Sequence, residues 1–338
     1  MNLIRLAQPA SLDNLRLASA EPRPPGPGEV LLRVRASSLN YHDWCVVVGE
    51  IPAADGRVPM SDGAGEVLEV GPPLADAPSP FAKGDAVMST FFPRWRDGPV
   101  GKDVVRSVPG DDADGFASEF VTAPASWLTR QPRGYTHAQA ATLPCAALTA
   151  WRALMVDGPL VSGETVVVQG TGGVSIFALQ FAKAAGATVV ATSSSDEKLE
   201  RLKALGADHV VNYRSQPQWS RFVNEVTGGA GADHVVEVGG AQTLSQSLRA
   251  CRIGGHVSMI GVLSGREAPV STALLMTKNI RLQGVTVGSH RHQREMVRAI
   301  EATGIVPVID SHFPLARIAD AFRHQHSGRH FGKIVLDI

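Results

Sequence analysis

Residues 166–175 read V-V-V-Q-G-T-G-G-V-S, and the reading of this stretch decides the fold. Three valines in a row, closed by a turn, mark a strand buried on both faces. Glycines follow at 170, 172 and 173, and 176–183 continues as a helix pattern that ends near Gly186. Strand, glycine turn and helix together form the phosphate cradle of a dinucleotide site. Gly170 and Gly172 remove Cβ atoms that would block a tight turn and close backbone approach, while the helix aims free N–H groups and its positive dipole end at a pyrophosphate. The decapeptide alone also fits an ordinary strand-to-helix turn, because the last motif position is Ser175 and not glycine.

The surrounding chain supplies the context. From Gly163 onward, strands alternate with helices. The predicted strands are 165–169, 188–191, 209–212, 234–238, 255–260 and 281–287. The predicted helices are 174–185, 196–205, 218–226 and 243–250. Apolar runs of this length, alternating with helices, imply an α/β protein with a doubly wound parallel sheet. The first 125 residues differ. They are rich in Pro and Gly and hold short strand-like runs at 29–36, 65–70, 86–89 and 120–122, the signature of an irregular β domain. A helix at 295–302 and a strand at 331–336 lie in the tail. The expected organisation is a β domain at 1–125, completed by 290–338, and a nucleotide-binding domain at 126–289, with a cleft between them.

Bulk properties agree. The chain has 338 residues, enough for two domains of about 150 residues each. Lys plus Arg and Asp plus Glu are both 32, so the formal net charge is zero, which argues against a nucleic-acid or membrane-surface partner. Cys45, Cys145 and Cys251 are odd in number and far apart, so no disulfide framework is expected. The N-terminus has no apolar core of signal-peptide length. The most apolar stretch, 138–156, contains Pro144 and Arg152 and does not read as a membrane span. A cytoplasmic location is the expectation.

Five ordered segments carry a resemblance: G-A-G-E-V-L-E-V-G (63–71), F-A-K-G-D-A-V (81–87), A-A-T-L-P-C-A-A-L-T-A-W (140–151), Q-G-T-G-G-V-S (169–175) and F-G-K-I-V-L (331–336). With them the chain resembles the medium-chain dehydrogenase/reductase family over nearly its whole length. The resemblance implies a GroES-like β domain beside a Rossmann domain. Many members hold a catalytic zinc through Cys, His and Cys. Here those positions carry Asn40, Ser61 and Cys145, and the cluster of four cysteines for a structural zinc is also absent. Zinc needs three or four N, S or carboxylate donors. The chain is therefore similar to the zinc-independent branch, which contains quinone and enone reductases and NAD(P)-dependent alcohol dehydrogenases, and no metal is expected.

The resemblance also orders the site. Gly170, Thr171, Gly172, Gly173 and Val174 would cradle the pyrophosphate. Val238, Gly239 and Gly240, with Ile260, Gly261 and Val262, would line the nicotinamide half, with Thr149 beside it and Ser289 added by family position. The second strand ends A-T-S-S-S-D-E-K, with Ser193 where an NAD enzyme carries an acid for the ribose 2′-hydroxyl. A missing carboxylate removes repulsion against a 2′-phosphate. Ser193 and Ser194 can donate hydrogen bonds and Lys198 can supply charge. Tyr213, after the third strand, takes a 2′-phosphate position of the branch. NADP(H) is thus favoured over NAD(H), although S-S-S also reads as a plain helix cap.

Without zinc the substrate oxygen needs other donors. Asn40 and Tyr41 are the nearest, and His42 stands where the family's proton relay begins; a histidine titrates near neutrality and suits proton transfer. The alternative is that these residues shape the pocket and water supplies the proton. Trp44, Phe91, Phe92 and Trp95 read as an apolar substrate wall, with plain core packing as the other reading of Phe91 and Phe92. His290–His292 and the trio His324, His326 and His330 read as solvated surface. The expected function is alcohol–carbonyl interconversion on a small molecule. NADPH:quinone or enone reduction, or an NADPH-binding sensor without turnover, are the alternatives. The apolar alternation of 281–287 suggests an edge strand that pairs in a homodimer.

Overall fold

The chain is described by a computed structural model covering residues 1–74 and 78–338. It divides into two compact units, Met1–Leu148 with Val287–Ile338, and Thr149–Thr286. The boundary falls at 148/149 and not near residue 125. The reason is the helical stretch that begins at His137–Ala141, which packs on strands Glu29–Ser38, Asp62–Val70 and Ala86–Ser89 of the first unit. Pro144 follows inside a wide π-type turn, Leu143–Ala147, where a residue without an N–H is tolerated.

The unit Thr149–Thr286 holds a six-stranded parallel sheet in the order 209–212, 188–193, 165–169, 232–237, 251–259, 281–284. This is the doubly wound order, in which ligands bind beyond the carboxyl ends of the strands where the winding reverses. The reversal lies between Thr165–Gln169 and Ala232–Glu237. Val166, Val167 and Val168 are fully buried, which explains the unbroken apolar run. Val167 registers with Val190 on one side and Val235 on the other. Trp219, Val223 and Leu248 close over them in one core cluster. The helix Gly173–Ala184 buries Ile176, Phe177 and Phe181. Each such side chain contributes about 1.5–3 kcal/mol on leaving water. The last strand is shorter than the apolar alternation suggests. It stops at Gly284, and its four residues are exposed in the single chain. Val287 leaves the extended region with φ 46°, and Val285 and Val287 turn inward.

The other unit carries a seven-stranded sheet in the order 309–314, 333–337, 29–38, 62–70, 86–89, 128–130, with 120–124 also paired to 29–38. The tail supplies two of these strands. Val335–Asp337 registers antiparallel with Ala36–Ser38, and Leu39 donates its N–H to Ile334. That pairing sets Lys333 beside the end of the strand that leads to Asn40. A hairpin, Asn2–Leu6 with Leu15–Ser19, and the helix Ile318–His326 cover the core of Ile4, Val47, Phe322 and Ile334. Among the described residues no helix is long and apolar enough to cross a membrane.

Candidate functional site

The strand Glu29–Ser38 runs into Asn40, which precedes the short helix Tyr41–Val47. Asp43 in the first turn is 1 % exposed and ties two segments together. One of its oxygens accepts from the Asn40 N–H at 2.9 Å, and the other accepts from the Ser61 N–H at 2.8 Å. The Asn40 amide nitrogen donates to Ser61 Oγ at 3.2 Å. Its amide oxygen accepts from Lys333 Nζ at 2.5 Å, and the same ammonium donates to the Leu39 carbonyl at 2.6 Å. Asp62 Oδ2 lies 3.9 Å from Lys333 Nζ, and both side chains are buried. Burial raises the Asp62 carboxyl to about 7, against the opposing pull of Lys333. Burial likewise pushes the Cys145 thiol well above its ordinary value, with the charges of Asp62 and Asp43 adding and Lys333 opposing. The thiol therefore keeps its proton at neutral pH.

His42, one helical position before Asp43, lies between two carboxylates. Nε2 is 2.9 Å from Asp111 Oδ2, and Nδ1 is 3.7 Å from Asp43 Oδ1. Asp111 comes from a loop whose Gly110 has φ 93°; a Cβ there would sit 2.9 Å from the Met60 backbone nitrogen. Burial by itself lowers the His42 pKa, but the hydrogen bond to Asp111 and the charges of Asp43 and Asp111 outweigh it and raise the value to about 9. A value near 9 keeps the His42 ring protonated through the neutral range, above the titration near neutrality expected from the sequence. An unfolded histidine titrates near 6.5. Stability from this group is therefore complete below about pH 6.5, declines as pH rises, and is gone above about 9, a loss on the order of 3 kcal/mol. The thermal midpoint of the wild type is expected to fall across that window more steeply than that of His42→Gln. Parallel profiles for the two proteins would remove the imidazolium assignment.

Phe91 meets His42 edge-on at 5.1 Å between ring centroids, Phe92 meets Phe91 at 4.8 Å, and Trp95 follows Phe92 at 6.2 Å. All three aromatic residues are buried, so packing accounts for most of their surface. Trp44 does not join them. It stacks on His326 at 4.3 Å and leans on Phe322, within the core under the N-terminal hairpin. The ring of Tyr41 is among the exposed large side chains. His290 and His292 are not solvated surface: His290 is 5 % exposed, and His292 packs edge-on against Trp95 at 5.9 Å.

In the unit Thr149–Thr286 the glycine turn has the geometry its sequence demands. Gly170 has φ 70°, a conformation that disfavours a side chain, and donates its N–H to Thr192. Cβ atoms built at Gly170 or Gly172 would project into open space. Gly172 is the N-cap of the helix Gly173–Ala184, and no side chain caps that end, which leaves its first N–H groups for an anion. Ser175, at the motif's last position, turns inward and donates to the Gln169 carbonyl at 2.6 Å. Thr171 and Val174 flank these glycines, and Thr149 is buried.

The end of the second strand settles what S-S-S does. Ser193 is 3 % exposed, and its hydroxyl accepts from the Ser195 N–H. Ser195 is the helix cap and accepts from the Lys198 N–H at 3.4 Å. Ser194 is left between them, half-buried. Asp196, the nearest carboxylate, accepts from the Asn212 side chain at 2.7 Å. Tyr213 donates its N–H to the Ser193 carbonyl and keeps its ring exposed.

Glu237 is a residue the sequence reading missed. It is fully buried at the end of strand Ala232–Glu237. One of its oxygens accepts from the N–H groups of Gly239 and Gly240 at 2.8 and 2.9 Å and from Thr243 Oγ1 at 2.6 Å. The other accepts from Gln169 at 2.8 Å and from Ser247. Glu237 thus ties the Val238–Gly240 turn to the base of the glycine turn. Ile260 and Gly261 hang from its carbonyl, and Val262 follows them. An acid at the end of an apolar run was the available signal. Ser289 belongs to the first unit, where it is 1 % exposed and caps the helix His290–Thr303 through the His292 N–H.

Comparisons agree with this anatomy. Residues 26–133 match the model of the alcohol dehydrogenase GroES-like domain, and residues 173–302 match that of the zinc-binding dehydrogenase. The chain is 42 % identical to a zinc-type alcohol dehydrogenase-like protein of Schizosaccharomyces pombe, over 94 % of this chain and 93 % of that one. A crystal structure of an NAD-dependent alcohol dehydrogenase superposes with a TM-score of 0.91 at 32 % identity, covering 100 % of both chains. A crotonyl-CoA carboxylase/reductase in complex with NADP superposes with a TM-score of 0.87 at 25 % identity, covering 100 % of this chain and 95 % of that one. The chain belongs to the medium-chain dehydrogenase/reductase family. It is an alcohol dehydrogenase-like oxidoreductase of that family, with a GroES-like unit and a parallel dinucleotide-binding sheet.

Proposed function

We propose that this chain is a metal-independent, NADP(H)-dependent oxidoreductase that interconverts an alcohol and a carbonyl by hydride transfer. The observation that carries this reading is the wiring of Asn40, Ser61 and Cys145. The Asn40 amide oxygen is held by an ammonium, the Ser61 hydroxyl accepts from the amide, and only Cys145 of the three is a residue type that zinc takes. Among the described residues no group of three His, Cys, Asp or Glu side chains is placed to hold a metal ion. This donor set does not fit zinc, which takes thiolate, imidazole or carboxylate ligands in threes or fours.

The residues of the second unit fit a dinucleotide. Gly170–Val174 and the uncapped helix start would hold the pyrophosphate. Val238–Gly240, Ile260–Val262 and Thr149 would hold the nicotinamide half. Ser194, Lys198 and the exposed Tyr213 would take a 2′-phosphate, with Ser193 shaping the loop beneath them. The turning of Asp196 toward Asn212 supports NADP(H), since no carboxylate is then presented to the 2′-position. The bound cofactor supplies the hydride.

The first unit supplies charge and protons. His42, held between Asp111 and Asp43, is the proton-relay residue of this unit. Asp111, with a side chain 13 % exposed, keeps the imidazolium protonated and connects it to solvent. Asn40 is spent on Lys333 and Ser61 and acts as a positioning residue. Tyr41, with its exposed ring, would donate to the substrate oxygen. Phe91, Phe92 and Trp95 set the apolar side.

Enone or quinone reduction is a second reading, favoured by the likeness to the crotonyl-CoA carboxylase/reductase. One experiment separates these readings. Purified protein is assayed with NADPH and NADH against ketones, enones and quinones, with NADP⁺ and alcohols in reverse, and its metal content is measured on the same sample. Turnover that prefers NADPH, oxidises an alcohol, survives chelation and needs no stoichiometric zinc is expected. Bound zinc with loss of activity on chelation would overturn metal independence. NADPH binding without turnover on any substrate would favour the sensor.

A further inference from the structure

A cavity of about 1350 Å³ opens on the first unit, with Phe81, Leu128 and Val297 among its apolar walls. No step of the proposed reaction uses it. Arg23, Arg96, Arg130, Arg294 and Arg298 all line it. Arg23 is paired with Glu29 at 2.7 Å, and Arg130 with Asp85 at 2.7 Å. Arg96, Arg294 and Arg298 have no carboxylate partner among the described residues. Arg294 and Arg298 stand one turn apart on the helix His290–Thr303, where like charges repel. His290 stands one turn before Arg294 on the same face. The chain as a whole is neutral, so this excess of positive charge is local.

His290 also lines the cavity. It is 5 % exposed, and its Nε2 is buried without a hydrogen-bond partner. Burial first, then the charges of Arg96 and Arg294, lowers its pKa to about 4, against a hydrogen bond to the Pro93 carbonyl. The ring is therefore neutral at physiological pH. A ligand that satisfies this wall brings anionic oxygens for three guanidinium groups. A carboxylate offers two oxygens and a single charge. A phosphate monoester offers three acceptor oxygens and a charge near −2 at neutral pH, its second pKa being about 6. The volume exceeds that of an ordinary drug-sized pocket, roughly 300–1,000 Å³, so the ligand extends beyond the phosphate along the apolar walls.

We propose that this cavity is a binding site for a phosphorylated small molecule with an apolar body, its phosphate held by Arg96, Arg294 and Arg298 beside His290. The test uses protein saturated with NADPH, so that the cofactor's own phosphate cradle is filled. Phenyl phosphate, inorganic phosphate and benzoate are titrated at matched ionic strength. The readouts are the thermal midpoint, which rises with ligand bound to the native state, and the imidazole nitrogen resonances of His290, identified through His290→Gln. Phenyl phosphate is expected to bind more tightly than inorganic phosphate, to outcompete benzoate and to shift the His290 signals. Arg294→Ala with Arg298→Ala is expected to weaken it by about tenfold or more, with NADPH turnover unchanged. Arg298→Ala alone reads the same effect if the double variant does not fold. Equal binding of benzoate, undiminished affinity in the folded arginine variants, or no midpoint shift at millimolar phenyl phosphate would each overturn the site.

Discussion

Replacement of Lys333 by Met is expected to cost about 3–5 kcal/mol of stability and to lower the thermal midpoint by roughly 10 °C. Three groups lose their partner at once. The Leu39 carbonyl and the Asn40 amide oxygen lose a donor, and Asp62, fully buried, loses the ammonium 3.9 Å away. Removing one member of a buried pair leaves the other uncompensated, and that is the expensive outcome. Asp62 can limit the loss by taking up a proton, since burial already lifts its carboxyl to about 7. Keeping that proton costs more as pH rises, so the damage is expected to be greater at pH 8 than at pH 6. Lys333→Met with Asp62→Asn is expected to recover much of the midpoint, because no buried charge then remains. Turnover is a second readout. A freed Asn40 lowers kcat with little change in KM, and Lys333→Arg restores part of it. A single variant within about 2 °C of wild type would show that the pair does not hold this site together.

Gly170→Val is expected to weaken NADPH binding by at least about 100-fold, near 2.7 kcal/mol, with circular dichroism unchanged. The backbone there has φ 70°, which β-branched side chains avoid. The added methyls would also enter the open space above the turn, where the pyrophosphate is proposed to lie. Gly170→Ala meets the same backbone strain with a smaller intrusion and is expected to lose about 1–2 kcal/mol. Fluorescence titration reads both. Wild-type affinity in the valine variant would remove the turn from the cofactor site.

Legibility in the sequence followed the range of the forces at work. The strand Thr165–Gln169 is found where its valine run places it, because burial on both faces leaves no room for polar residues. The hairpin strand Leu15–Ser19 was missed. It is short, with no fully buried residue and little alternation to read. The helix His290–Thr303 begins five residues before the predicted helix, since H-R-H-Q-R looks like a solvated segment until Ser289 is seen to cap it. Trp44 has the composition of a pocket wall, yet the C-terminal helix provides the surface on which it stacks.

Strands, helices and the glycine turn are local. Side-chain periodicity and backbone stereochemistry act over a few residues, so the sequence by itself determined the doubly wound unit, its cradle and the replacement of family zinc ligands by Asn40 and Ser61. The electrostatic state of the site is not local. Lys333 reaches Asn40 across a separation of 293 residues, and Asp111 reaches His42 across 69. Both contacts exist only once the tail has paired with strand Glu29–Ser38 and the 107–114 loop has folded against Met60. Desolvation and Coulomb energy act over a few ångströms and depend on what else is buried there. Only the tertiary structure could decide that His42 lies between two carboxylates, that Asn40 is anchored by an ammonium, and that His290 lines a basic cavity.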